Sequence, residues 1–259
     1  MTEFESTNFE DANNESQHPK DSAPALTQEQ IFEVLDTCYQ KAIAGIDKVS
    51  PPIEKLANDY LEQNITPDEA AKAMIKNQIK KCTTSGFLTG LGGVITMPLT
   101  IPANLGSVLY VQMRMIACTA YIAGLDVESD QVQTLTYACL AGVSVNEVIK
   151  KAGVQFGQKL ANSMIRKIPG EVLKNINQKI GFRLITKFGE KGILNLGKVV
   201  PVVGGVINGG LDWAETKAIG NRSYKLFFEG ISEGDEEPSK DIDSDDNAES
   251  GDVIDVDFE

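Results

Sequence analysis

Three carboxylates are the residues of this chain best suited to acid–base chemistry. Asp212 and Glu215 are three residues apart beside a glycine-rich turn, so they share one face of a helix. Asp126 could join them from an earlier loop, and carboxylates held close together can act as general acid and general base in hydrolysis. Helix capping accounts for Asp126 and Asp212 more simply. A hydrolase with a carboxylate site is therefore only an alternative interpretation of this chain. We predict no catalytic residue.

Other catalytic motifs are incomplete in this sequence. Residues 192–198, GILNLGK, have the spacing of a phosphate-binding loop, but Val199 offers no hydroxyl to Mg²⁺ and Pro201 stands where a helix should begin. The single histidine, His18, lies in a polar N-terminal segment and leaves a serine or cysteine nucleophile without a base. The four cysteines lack metal-ligand spacing, as is typical of reduced, buried thiols in a cytosolic protein. We predict no cofactor and no metal site.

Gln112 and Arg114 are polar residues on a segment, Asn104–Ala123, that otherwise has the apolar spacing of a buried helix. A guanidinium in a protein core needs compensating partners. We therefore expect Gln112 and Arg114 to form a buried polar cluster with the three carboxylates.

The elements that would position these residues surround an uncharged stretch, Cys82–Met113. A second uncharged stretch, Val199–Leu211, precedes the last predicted helix, and it is the natural packing partner of the first. Glycine and proline interrupt both stretches and predict turns in an apolar helical hairpin. The predicted turn residues are Gly86, Gly90, Gly92, Gly93, Pro98, Pro102, Pro201, Gly204 and Gly205.

The first uncharged stretch is long enough to cross a bilayer, but its prolines divide it. Breaks at Pro98 and Pro102 leave arms of about 12 residues, whereas a span needs about 20. This favours shallow contact with lipid over a true span; burial of the stretch inside a soluble core is the alternative. The candidates for membrane contact are Phe87, Leu88, Leu91, Val94, Ile95, Met97, Leu99 and Ile101.

Charge is distributed unevenly along the chain. The net charge is −6 over residues 1–30 and −12 over residues 231–259, which leaves +5 on the 200 residues between them. A basic body beside apolar stretches fits an anionic lipid surface, although a solvated helix face explains the same lysines. Nucleic acid is disfavoured, because no recognition motif is present and the acidic tails would repel phosphates. The predicted basic surface comprises Lys174, Lys179, Arg183, Lys187 and Lys191.

The periodicity predicts an all-α, multi-helix bundle over residues 27–230, flanked by disordered acidic tails at 1–26 and 231–259. Thr27 with Gln30 forms a capping box that opens a helix over 28–47, and Thr66 followed by Pro67 opens another that reaches about residue 81. Lysines alternate with apolar residues over 171–189, which predicts a basic amphipathic helix that Gly181 could break.

The segment GFLTGLGGVITMPLTIPANLGSVLYVQMRMIACTAYIAGLD, residues 86–126, resembles the EcsC protein family. Later features agree in order: VQTLTYACLAG follows, and VVPVVGGVINGGLDWAETKAIGNRSYKLFF closes the domain. The resemblance covers residues 30–229, everything except the acidic tails. It implies a predominantly helical domain of bacterial type, and it carries no catalytic residues over to this chain.

The sequence therefore favours a non-enzymatic helical domain at the cytoplasmic face of a membrane. Its contacts would be the apolar stretch and the basic helices. A soluble module that docks onto a protein and never meets lipid is the second interpretation. The acidic C-terminal tail either keeps the chain soluble, offers a short motif to a protein partner, or folds back on the basic body and weakens membrane binding. No oligomeric state is predicted.

Overall fold

The computed structural model describes residues 27–83, 103–151, 162–188 and 206–230. Regular structure within these ranges is helical, apart from one isolated bridge between Ile46 and Ser50, and the all-α prediction is confirmed. A π-helical turn, Lys225–Glu229, follows the last α-helix. The α-helices in the described ranges are α1 Gln28–Ala44, α2 Ile53–Gln63, α3 Pro67–Thr83, α4 Ala103–Ile122, α5 Asp130–Ala141, α6 Asn146–Lys151, α7 Asn162–Ile165, α8 Gly170–Phe188 and α9 Val206–Tyr224.

The capping box predicted at the start of α1 is confirmed. The Gln30 backbone N–H donates to Thr27 Oγ1 at 3.2 Å, and the Thr27 N–H donates to Gln30 Oε1 at 2.9 Å. The helix ends at Ala44, earlier than predicted, because Gly45 turns the chain with φ of +78°. A Cβ on Gly45 would lie 2.5 Å from the Ser50 carbonyl oxygen, so only glycine fits this turn.

Helix α4 is the centre of the bundle and packs against α1, α2, α3, α5 and α9. Every residue from Leu109 to Ala120 is buried, which is the pattern of a helix that is surrounded by protein on all sides. Helix α4 begins at Ala103 and therefore contains the last third of the uncharged stretch Cys82–Met113. The part of this third whose burial the structure describes belongs to the protein core.

Gly181 does not break α8, which runs without interruption through it. A Cβ built on Gly181 would lie 2.4 Å from Gln28 Nε2. Glycine at this position therefore permits close approach between α8 and the first turn of α1, and the helix tolerates it because five buried apolar residues anchor the same face. These are Val172, Leu173, Ile176, Ile180 and Leu184.

Contacts along α3 and α9 show that these two helices are antiparallel. The Tyr224 hydroxyl at the end of α9 donates to the Asp68 carboxylate at the start of α3. Ile75, two turns further along α3, lies against Gly220, one turn earlier on α9. The end of α3 and the start of α9 are therefore neighbours.

Contacts between α4 and α9 show that this pair is parallel. Gln112 donates to Thr216 at 3.1 Å, and Met115 lies against Gly220. The start of α4, the start of α9 and the end of α3 consequently share one end of the bundle, which we call the apolar end. It is marked by Thr83, Ala103 and Val206.

Helix α1 runs antiparallel to α4. Ala42, near the end of α1, accepts a hydrogen bond from Arg114, whereas Tyr39, earlier on α1, donates to the carbonyl of Val127, beyond the end of α4. The first residue of α1, Gln28, therefore lies at the opposite end of the bundle from the apolar end. The last turn of α9 is at that opposite end too, because α9 is parallel to α4.

Candidate functional site

The apolar end is where both uncharged sequence stretches join the described helices. Residues 84–102 connect the end of α3 to the start of α4, and the stretch Val199–Leu211 runs into the start of α9 at Val206. Outside the described residues lie the eight candidates for membrane contact, the nine predicted turn residues, the phosphate-loop-like segment 192–198 and Lys191. The described helices nevertheless fix where these stretches attach.

Gln112 lies at the α4–α9 contact. It is 3% exposed, and its side-chain amide donates to the hydroxyl of Thr216, which is 0% exposed. A buried amide paired with a buried hydroxyl satisfies both groups and fixes the register of the two helices. Gln112 therefore holds together two of the three helices that form the apolar end.

Arg114 has a different set of partners. Its guanidinium donates to the carbonyl oxygen of Ala42 at 2.9 Å and to that of Pro51. Ala42 belongs to the last turn of α1, where unpaired carbonyls carry the negative end of the helix dipole and favour a cation. Burial lowers the pKa of Arg114. Arg114 thus ties the α1–α2 loop to the central helix.

The described members of the predicted polar cluster have different partners. Asp126 forms an ion pair with Arg166 at 2.9 Å and caps its own turn by accepting from the Glu128 N–H. Glu215 is partly buried on α9 and interacts electrostatically with Arg222. The side chain of Asp212 is outside the described residues. Gln112 and Arg114 are buried, but the hydrogen bonds described above link them to a hydroxyl and to backbone oxygens. These partners follow from the geometry of α4, which directs Gln112 toward α9 and Arg114 toward the α1–α2 loop.

A polar cleft of about 820 Å³ lies between α1, α5 and α8. Among the residues that line it, the Asp36 carboxylate accepts from the Tyr137 hydroxyl at 2.7 Å and from the Gln133 amide at 2.9 Å. Burial raises the pKa of Tyr137, and the hydrogen bond to Asp36 raises it further, so the phenol stays protonated and donates. These contacts join α1 to α5 and leave a shallow, hydrogen-bonding surface.

Sequence reasoning missed this cleft. Asp36 lies 101 residues from Tyr137, so no local spacing connects them. The only local signal is that Gln133 and Tyr137 are four residues apart on α5 and share one helix face, where the Gln133 amide also donates to the Tyr137 hydroxyl at 2.7 Å.

The three cysteines whose side chains the structure describes are poor nucleophiles. Burial raises the pKa of each thiol to about 12, so the reactive thiolate is scarce at neutral pH. Among the residues that the structure describes, no group of three His, Cys, Asp or Glu side chains converges as a metal site would require. The three buried thiols are Cys38, Cys118 and Cys139.

The predicted basic surface is partly visible. Lys174, Lys179 and Arg183 are exposed on α8, while the side chain of Lys187 is outside the described residues. Two large apolar side chains accompany them, since Phe182 and Ile185 are 73% and 37% exposed. None of the helices in the described ranges is both long and apolar enough to cross a membrane.

One comparison with known proteins covers most of the chain, and another covers about a third of it. The family model described as the EcsC protein family matches residues 2–227, which begins earlier than the resemblance noted in the sequence. The uncharacterized protein YdbA of Bacillus subtilis (strain 168) is 32% identical over 88 residues, which are 34% of this chain and 31% of YdbA. The chain thus matches about a third of the length of this curated relative. No solved structure matches.

Proposed function

The chain belongs to the EcsC protein family, and we propose that it is a non-enzymatic helical protein that associates peripherally with the cytoplasmic face of a membrane. The proposed contact is the apolar end. One observation carries the proposal: the two uncharged stretches of the sequence join the bundle at the same end, beside Thr83, Ala103 and Val206.

Shallow contact suits these stretches better than a span. The uncharged stretch Cys82–Met113 is rich in Leu, Ile and Val, but breaks at Pro98 and Pro102 leave arms of about 12 residues, well below the 20 or so that a spanning helix needs. An apolar surface presented at one end of a folded body can enter the outer few ångströms of a bilayer and remain peripheral.

The partners of the candidate catalytic groups that the structure describes motivate the non-enzymatic part of the proposal. Asp126 forms an ion pair with Arg166, Glu215 interacts electrostatically with Arg222, and the described thiols are protonated at neutral pH. Each of these groups has a structural role that accounts for it.

A vesicle flotation assay with a charge placed in the apolar stretch tests the proposal. The variants are Leu91→Asp and, as a matched control, Ile65→Asp, because Ile65 is an apolar residue that is already 94% exposed in the α2–α3 loop. A carboxylate costs about 3 kcal/mol at the bilayer centre and less near its surface, and each 1.4 kcal/mol is tenfold in affinity. We expect Leu91→Asp to weaken binding to anionic vesicles at least about tenfold and Ile65→Asp to leave it unchanged.

Two results would contradict the proposal. If the unaltered chain stays in the soluble fraction with anionic vesicles even at low salt, it does not bind lipid. If Leu91→Asp lowers the free energy of unfolding by several kcal/mol, the stretch is part of a packed core. The second result would favour the soluble module that docks onto a protein.

A further inference from the structure

Phe182 is an aromatic side chain that the packing of its own helix does not explain. Ile180 and Leu184, two residues away on either side, are buried, whereas Phe182 is 73% exposed. Because an α-helix has 3.6 residues per turn, position 182 lies about 200° around the helix from both of them. Phe182 therefore points directly away from the core.

Bases and a second apolar side chain surround Phe182. We call this surface the α8 outer face. It consists of Lys179, Phe182, Arg183 and Ile185, all exposed. An apolar centre flanked by two cations fits a partner in which apolar side chains and carboxylates alternate.

The α8 outer face lies at the end of the bundle opposite the apolar end. Gly181 packs against Gln28, the first residue of α1, which lies at that opposite end. The last turns of α9 are there too, because α9 runs parallel to α4. The face is therefore distant from the proposed membrane contact and close to where the chain leaves α9.

We propose that the acidic C-terminal tail, residues 231–259, docks on the α8 outer face. The tail carries a net charge of −12, and its last eight residues are DVIDVDFE. Carboxylates in this segment would meet Lys179 and Arg183, and the apolar residues among them would cover Phe182 and Ile185. The apolar residues of the segment are Val253, Ile254, Val256 and Phe258.

Chain length and position permit this contact. The tail starts after Gly230, which ends the π-helical turn that follows α9. An extended chain spans about 3.3 Å per residue, so even a third of the tail covers roughly 30 Å, comparable with the length of α4. The docking needs no lipid and does not depend on the proposed membrane contact.

Zero-length carbodiimide cross-linking of the full chain, without lipid, tests the proposal by joining lysine ammonium groups to nearby carboxylates. The ion pair between Lys72 and Asp68, 2.9 Å apart on α3, gives an internal reference for the yield. We expect tail peptides to be joined chiefly to Lys179. The variant Phe182→Ala should lower that yield at least threefold relative to the reference, and high salt should lower it too. The matched control Ile65→Ala should not change it.

Three outcomes would overturn the docking. In the first, the tail is joined to lysines on remote helices, such as Lys55 of α2, as often as to Lys179. In the second, the yield of the product that joins the tail to Lys179 is the same after Phe182→Ala. In a mixture of isotopically heavy and light chains, products that join heavy to light peptides would place the tail on a second copy. Because the assay contains no vesicles, each of these outcomes leaves the membrane proposal untouched, and failure of vesicle flotation leaves the docking untouched.

Discussion

Replacing Gly220 with alanine tests the close packing of α3, α4 and α9 that defines the apolar end. A Cβ on Gly220 would lie 2.7 Å from Ile75 Cγ2 and 3.5 Å from Met115 Sδ. Ile75 and Met115 are 1% and 0% exposed and have little room to move. Overpacking of this kind costs about 1–3 kcal/mol, whereas alanine in place of a helical glycine gains about 1 kcal/mol. We expect Gly220→Ala to lower the free energy of unfolding by about 1 kcal/mol.

Gly181→Ala is the matched comparison, because Gly181 is also a buried glycine inside a long helix. Its new Cβ would meet Gln28, at 2.4 Å from Nε2, but Gln28 is exposed and its flexible side chain can swing into water. The gain in helix propensity then dominates. We expect Gly181→Ala to raise the free energy of unfolding by up to about 1 kcal/mol.

Urea and thermal unfolding, followed by far-ultraviolet circular dichroism, measure the difference between the two variants. A gap of about 2 kcal/mol corresponds to about 4–8 °C in Tm for a domain of this size. If Gly220→Ala proves as stable as Gly181→Ala, the three helices are not in the contact described. The two uncharged stretches would then not attach at one end of the bundle.

Two further predictions concern buried groups. Gln112→Leu and Thr216→Val should each lower the free energy of unfolding by about 1–3 kcal/mol, because each leaves a buried polar partner unsatisfied. The double variant should lower it by less than the sum of the two single effects. Strict additivity in this double-mutant cycle would show that the two side chains do not interact. The three buried thiols, whose pKa rises from 9.0 to about 12 on folding, ionise more readily in the unfolded chain. The contribution of the thiols to the free energy of unfolding should therefore be complete below about pH 9. Above about pH 9 the free energy of unfolding should fall by about 1.4 kcal/mol for each thiol and each pH unit. Urea unfolding from pH 8 to 10 measures this fall, and a flat profile would contradict the burial of the thiols.

Local signals predicted the local features of this fold. The capping box of Thr27 and Gln30 sits at the start of α1 because both partners are within one turn, and the spacing of apolar residues predicted α4 almost to its ends. The prediction that Gly181 could break α8 was wrong, since the need for glycine comes from Gln28, more than 150 residues earlier in the chain.

The partners of buried side chains could not be predicted either, because they too are distant along the chain. The sequence shows that Arg114 is a polar residue on an apolar helix, but it does not show that backbone carbonyls will neutralise it. The sequence suggested carboxylates as partners of Arg114, because a cation in a core needs negative charge. The structure supplies partial negative charge from the last turn of α1 instead. A contact of this type leaves no trace in residue types, since every residue has a carbonyl group.

The positions of the chain ends connect the proposed membrane contact to the charge of the tails. The N-terminal acidic residues precede Thr27 and the C-terminal acidic residues follow Gly230, and both junctions lie at the end of the bundle opposite the apolar end. Helix α4, with 20 residues, separates the two ends by about 30 Å, whereas the Debye length is about 8 Å at physiological ionic strength. With the apolar end against an anionic membrane, the junctions of both tails would be several Debye lengths from the surface, so the repulsion of the acidic residues next to the junctions would be screened. In the reverse orientation, the junctions of segments of net charge −5 (residues 1–26) and −12 (residues 231–259) would lie at the negative headgroups. The proposed membrane contact therefore predicts one orientation, with the apolar end toward the lipid and the junctions of both acidic tails away from it.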